Sequence, residues 1–180
     1  SIMHYGGFYA QYLNSMKLAE VRALTAGTTS IQGNNCNGDQ DSDYAHQGII
    51  INNVERYPAL VLHDTFPLRG VPSDVLDYWT AVSTENWEHF IVHLSEGTSA
   101  SALDEFYQWK DSLGMLDART TLIHGVPLGD AEWAAMAAVG ANIVWSPVSN
   151  LTLYGATADI PGALAAGVNV ALAPDWTESG

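Results

Sequence analysis

The sequence is poor in cysteine, in basic residues and in long apolar runs. Its single cysteine, Cys36, excludes an internal disulfide and any zinc site built from cysteines alone. Six Lys and Arg residues stand against twenty Asp and Glu, a formal net charge of −14, which disfavours nucleic acid and anionic membranes as partners. No apolar run reaches the ~18 residues of a membrane span, and the N-terminus lacks the features of a signal peptide. We therefore expect a cytoplasmic protein that binds neither nucleic acid nor membrane.

The composition is that of a packed globular protein. Hydrophobic residues make up 47% of the 180 residues and charged residues 14%, which indicates elements covered on both sides. This length suits one domain or part of one, so we predict a single, incomplete domain over residues 1–180. Ser1 is not an initiator Met and Gly180 falls within a predicted loop, so we expect both ends to be cuts in a longer chain.

From Ala19 onward, short β-branched runs alternate with Ala- and Leu-rich stretches of helical period. The predicted strands are Thr28–Gln32, Leu60–His63, Phe90–His93, Thr121–His124, Ile143–Ser146 and Asn169–Pro174. The predicted helices are Tyr12–Thr25, Ala45–Arg56, Ala100–Leu113, Asp130–Val139 and Ile160–Ala166. Successive βα units of this kind predict an α/β fold, either a barrel or a doubly wound sheet.

Four of the predicted strands run into a polar residue at the same end. These residues are His93, His124, Ser146 and Asp175. In parallel βα folds the active site lies at the C-terminal ends of the strands. Two imidazoles and a carboxylate meeting there are the donor set of one divalent metal, Zn²⁺ or Fe²⁺, with open positions for water.

Glu96 follows His93 by three residues, which places a carboxylate close to such a metal without occupying it. That is the position a general acid/base requires. Two plainer interpretations remain open at this point. His93 can be a hydrogen-bonded core histidine, and Asp175 can cap a helix that begins after Trp176.

Five runs of sequence occur in the order found in a known family. They are Val21–Gly33, Val92–Gly97, Leu122–Val126, Val144–Asn150 and Ala171–Trp176. This ordered set resembles the amidohydrolase superfamily, and within it the branch of chlorohydrolases, cytosine and guanine deaminases and S-adenosylhomocysteine deaminases. The resemblance covers nearly the whole chain. It implies a partial TIM (β/α)8 barrel with roughly strands 2 to 8.

The resemblance also implies roles for the strand-end residues. His93 and Asp175 would be metal ligands, and Asp175 would also take a proton from the hydrolytic water. Glu96 would carry protons to the substrate, while His124 would polarise the substrate or orient the water. The implied reaction is hydrolysis of a C–N bond (amide, amidine or ring amine) or a C–Cl bond of a small molecule by a metal-activated water.

Three further residues are expected to contact the substrate: Ser146 and Asn150, on the loop after the seventh barrel strand, and Trp176. One departure from the family is clear, because its members carry a His-x-His pair at the end of the first strand and this sequence contains none. The resemblance places that pair before Ser1.

The missing pair leaves a second hypothesis open, a non-catalytic barrel fragment with at most ligand binding. A third, a lyase or isomerase on a metal-binding barrel, fits the strand ends but not the motifs. A partial barrel also exposes unpaired strand edges, so we expect a homo-oligomer.

Overall fold

A computed structural model describes residues 17–31, 52–53, 59–65, 80 and 89–175 of the chain. Contacts divide the chain into two compact units, Ser1–Tyr57 and Pro58–Gly180. Within the described residues, no helix has the length and apolar character needed to cross a membrane.

In the first unit, residues 17–25 are helical, within the predicted helix that ends at Thr25. Two short strands, β1 (Ser30–Ile31) and β2 (Asn52–Asn53), pair in parallel. β1 lies inside a predicted strand. β2 lies in the stretch Ala45–Arg56 that we predicted as a helix, so that prediction is wrong at residues 52–53, where pairing with β1 outweighs local helical preference.

The second unit is built on a five-stranded parallel sheet. Its strands are β3 (Ala59–Thr65), β4 (His89–Leu94), β5 (Thr120–His124), β6 (Asn142–Trp145) and β7 (Asn169–Leu172). They lie in the sheet in the order of the chain, and every neighbouring pair is parallel. A doubly wound sheet reverses its strand order at one point, whereas a barrel does not. The winding is therefore that of a (β/α)8 barrel, and each strand overlaps one predicted from the sequence.

Four helices are described among the connections between β4 and β7. They are α1 (Ala100–Tyr107), which continues as a π-helix over Gln108–Ser112, α2 (Asp130–Val139), α3 (Pro147–Tyr154) and α4 (Ile160–Ala166). The predictions for α1, α2 and α4 are confirmed. α3 was not predicted, because the segment after β6 was interpreted as a loop.

The apolar core lies on one face of the sheet. Alternate residues of β4, namely Phe90, Val92 and Leu94, are fully buried there, and Phe90 stacks on Trp109 with ring centroids 5.4 Å apart. Side chains alternate between the faces of a strand, so His93 points to the opposite face, where it is half-buried. This alternation separates the packing face of the sheet from the face that carries the site.

Candidate metal centre

His93, His124 and Asp175 come together at the C-terminal edge of the sheet. His93 lies near the end of β4, His124 ends β5, and Asp175 follows β7. One ligand atom from each lies within 4.8 Å of the others, and the two imidazole centroids are 5.4 Å apart. The structure thus brings together the three donors whose strand ends suggested a metal site.

The backbone at the end of β5 turns His124 toward this cluster. Regular alternation would place His124 on the face of Leu122, in the apolar core. Instead His124 has a φ of 80° and Gly125 a φ of 58°, both in the left-handed region. The turn is held by hydrogen bonds from the Gly125 N–H to the Leu94 carbonyl (3.2 Å) and from the Val126 N–H to the Ser95 carbonyl (3.0 Å). Strained backbone of this kind is typical of functional sites.

His124 is completely buried, and its ring is oriented by Asn150. Its Nδ1 lies 2.9 Å from Asn150 Oδ1, while Asn150 Nδ2 donates to Thr157 Oγ1 at 3.4 Å. An amide oxygen only accepts, so Nδ1 carries a proton, and in the neutral form of the ring Nε2 is the nitrogen with the lone pair. Among the described residues Nε2 has no hydrogen-bond partner, and it faces Glu96 Oε2 at 3.5 Å. Two electron-rich atoms so placed fit a cation or a proton held between or beside them.

Glu96 is anchored by a tyrosine from α3. The Tyr154 hydroxyl donates to Glu96 Oε1 at 2.9 Å. Burial first, and then the hydrogen bond and charge of Glu96, raise the pKa of Tyr154 to about 12. The phenol therefore remains a donor at neutral pH.

Asp175 is held in a similar way, since Ser149 Oγ of α3 donates to Asp175 Oδ2 at 2.7 Å. Of the three predicted substrate contacts, Ser146 and Asn150 are buried at 2% and 0% exposure. Neither lies on an extended loop: Ser146 precedes α3 and Asn150 lies inside it. The expectation of a loop is corrected on this point. The third, Trp176, lies outside the described residues.

Glu105 is a buried carboxylate that the sequence did not single out. It lies on α1, is 4% exposed, and its Oε2 accepts the backbone N–H of Ser95 at 2.7 Å. Ser95 has a φ of 57°, so this bond holds another left-handed residue next to Glu96. Burial raises the pKa of Glu105 to about 7. The sequence gives no sign that Glu105 is buried while its neighbour Asp104 is exposed.

No protein-family model matches the chain. Two curated relatives show the nature of its similarity. The chain is 38% identical over 72 residues to 5-methylthioadenosine/S-adenosylhomocysteine deaminase 2 of Archaeoglobus fulgidus, covering 40% of this chain and 17% of the relative. It is 42% identical over 73 residues to the aminodeoxyfutalosine deaminase of Deinococcus radiodurans, covering 41% of this chain and 18% of the relative. The chain thus spans less than a fifth of either relative.

Solved structures agree on the fold. A triazine hydrolase from Arthrobacter aurescens superposes with a TM-score of 0.57 and 19% identity, over 67% of this chain and 27% of that one. A variant of atrazine chlorohydrolase from the same species, complexed with zinc and atraton, gives 0.55 and 17% over the same shares. These likenesses confirm the α/β barrel architecture. The curated relatives, which are both deaminases, confirm the resemblance of this chain to the deaminases of the amidohydrolase superfamily, over the part of the chain that they match.

Proposed function

We propose that this chain carries part of the active site of a metal-dependent hydrolase that cleaves a C–N or C–Cl bond of a small molecule. The observation that carries the proposal is the convergence of His93, His124 and Asp175 within 4.8 Å, with Glu96 beside them. Both the residue types and their origin from separate strand ends are those of a catalytic metal centre.

The donor set fits Zn²⁺ or Fe²⁺. Two imidazoles and one carboxylate are common ligands of both ions. Nε2 of the buried His124 supports this: within the part of the chain that the structure describes it has no hydrogen-bond partner, and a lone pair in such a place is costly without a cation or donor to receive it. A divalent ion bound there would supply Lewis acidity, which lowers the pKa of water enough for it to lose a proton and attack near neutral pH.

Glu96 is the proposed proton carrier. Its Oε2 faces the cluster and its Oε1 is held by Tyr154, so the carboxylate is oriented rather than free to rotate. It would take a proton from the attacking water and deliver it to the leaving nitrogen, which balances the protons of hydrolysis. Asp175, held by Ser149, would act as a ligand and as a second proton acceptor. His124, through Nε2, would bind the ion directly or polarise the substrate.

The names of the curated relatives point to a substrate class. Both are deaminases, and one is named for 5-methylthioadenosine and S-adenosylhomocysteine, which carry an amine on a purine ring. We therefore propose a purine ring amine as the first bond to test, with 5-methylthioadenosine as the probe.

Calorimetric titration with Zn²⁺ tests the centre. His93→Ala and Asp175→Ala should each weaken Zn²⁺ binding by about 100-fold or more, because each removes a proposed ligand. His89→Ala is the matched control, since His89 is exposed at the opposite end of the same strand. Unchanged affinity in both ligand variants would overturn the assignment.

Ammonia release from 5-methylthioadenosine tests the reaction. Glu96→Gln should retain Zn²⁺ while turnover falls by about 10² to 10⁴-fold, the usual contribution of a general acid/base. A second candidate function, ligand binding without catalysis, is favoured by the absence of a His-x-His pair from the sequence. That candidate predicts Zn²⁺ binding with no ammonia released.

A further inference from the structure

Helix α3 contacts three of the four proposed catalytic groups. Its residues Ser149, Asn150 and Tyr154 hydrogen bond to Asp175, His124 and Glu96 respectively. Those three partners come from the ends of three different strands, so one helix of eight residues spans the site. β6 itself supplies no member of the metal cluster. Helix α3, which follows β6, instead supplies the residues that hydrogen bond to the proposed catalytic groups.

Tyr154 makes the most informative of these contacts. The phenol donates to Glu96 Oε1, and the other oxygen, Oε2, faces His124 Nε2 at 3.5 Å. A carboxylate is symmetric until a neighbour distinguishes its oxygens. A neutral phenol donating to one oxygen lowers the proton affinity of that oxygen and fixes the plane of the carboxylate.

We propose that Tyr154 is a positioning residue for Glu96. The Tyr154 hydroxyl holds Oε1 of the carboxylate, and Oε2 is therefore the oxygen that transfers the proton. This inference rests on the proposed function, because it concerns how Glu96 does its work there. Oε2 takes the proton from the attacking water and gives it to the leaving group, while the phenol keeps its own proton throughout. Ser149 supports Asp175 from the same helix.

The raised pKa of Tyr154 agrees with this geometry, since the Glu96 charge and hydrogen bond contribute to it. A second tyrosine offers an internal control. Tyr107 donates to Glu132, neither of which belongs to the metal cluster, and that hydrogen bond is the main cause of the raised pKa of Tyr107. Each tyrosine should therefore respond to the loss of its own carboxylate partner and not to the other.

The test uses the full chain labelled with ¹³C at the tyrosine ring, with the Tyr154 signal assigned by its loss in Tyr154→Phe. At pH 11 a phenol with the pKa of about 12 is about 10% ionised, whereas an ordinary tyrosine is about 90% ionised. In Glu96→Gln the ionised fraction of Tyr154 should rise above that of the wild type, because the charge of Glu96 is lost while the burial of the phenol remains. In Glu132→Gln it should stay unchanged while the Tyr107 signal moves. Equal ionisation of Tyr154 in the wild type and Glu96→Gln would overturn the inference.

Kinetic measurements distinguish a positioning role of Tyr154 from a purely structural one. With 5-methylthioadenosine, Tyr154→Phe should lower kcat by about 10-fold or more and leave KM unchanged, because a misaligned proton carrier slows chemistry without weakening binding. Tyr107→Phe should change neither. An unchanged kcat in Tyr154→Phe would contradict the inference. Failure of the proposed function itself would appear separately, as a wild-type chain that binds no Zn²⁺, and the Tyr154 titration does not depend on that result.

Discussion

Replacing Glu105 with glutamine should remove a large part of the pH dependence of folding stability. Glu105 is 4% exposed, and its burial raises the pKa from 4.5 to about 7 in the folded state. Below pH 4.5 the group is protonated in both the folded and unfolded states. As the pH rises toward 7 the unfolded chain releases the proton first, so the folded state loses stability.

The magnitude follows from these two pKa values. A pKa difference of about 2.5 corresponds to a loss of about 3.4 kcal/mol in the free energy of unfolding when both states are fully ionised. Part of that loss has already occurred at pH 5, so the change between pH 5 and pH 8 is about 2.5 kcal/mol. Glutamine cannot ionise, but it keeps an oxygen that can accept the Ser95 N–H. The free energy of unfolding of Glu105→Gln should therefore lack this loss between pH 5 and pH 8.

Urea unfolding at pH 5 and pH 8, with chelator present, provides the measurement. The urea midpoint of the wild type should fall by about 1–2 M more than that of Glu105→Gln over this range. Asp104→Asn is the control, because it removes an exposed carboxylate from the neighbouring position of α1 and should retain most of the pH dependence. Identical pH profiles for the wild type and Glu105→Gln would refute the reasoning.

Three further predictions concern other parts of the second unit. Asn150→Leu removes the acceptor that fixes the His124 tautomer, so calorimetry should find Zn²⁺ affinity reduced by about 10 to 100-fold, and equal affinity would contradict the tautomer assignment. Gly125→Ala should cost about 2–4 kcal/mol in urea unfolding, because its φ is 58° and a Cβ there would lie 3.0 Å from Ile143 Cδ1. Leu172 is 70% exposed on β7, at one edge of the described sheet, and we expect it to promote self-association. Leu172→Lys should then shift light scattering toward the monomer, whereas an unchanged mass would argue against this edge as the contact.

Most of the fold was predictable because the strands of the second unit are apolar runs with clear ends. α2 and α4 were predicted with their full bounds, since Gly140 and Gly167 stop them in left-handed conformations. α3 was missed for a physical reason. Pro147, Ser149 and Asn150 are residues that favour turns, yet proline is well tolerated in the first turn of a helix.

The site was predictable only as far as strand ends could indicate it. His93, His124 and Asp175 follow apolar runs, so parallel strand order alone brings them to one edge. The contacts of Tyr154 and Ser149 could not be foreseen, because they depend on a helix that the sequence pattern concealed. Glu105 lies outside the strand-end pattern altogether, and its burial depends on how α1 packs against the segment after β4.

The strands of the second unit lie in the sheet in the order of the chain, which favours folding through local contacts. Each βα unit pairs with the unit before it, so the sheet can assemble by closing short loops, and its contacts are local in sequence. The proposed donors of the metal centre, in contrast, lie at or just after the ends of β4, β5 and β7. A divalent ion held there would link β7 to β4 and β5 and would bind only the assembled state, which would add about 4 kcal/mol to the free energy of unfolding at a thousandfold excess over its Kd. The ion-free chain is thus expected to release β7 early in unfolding, and the loaded chain to unfold β4 to β7 as one cooperative unit.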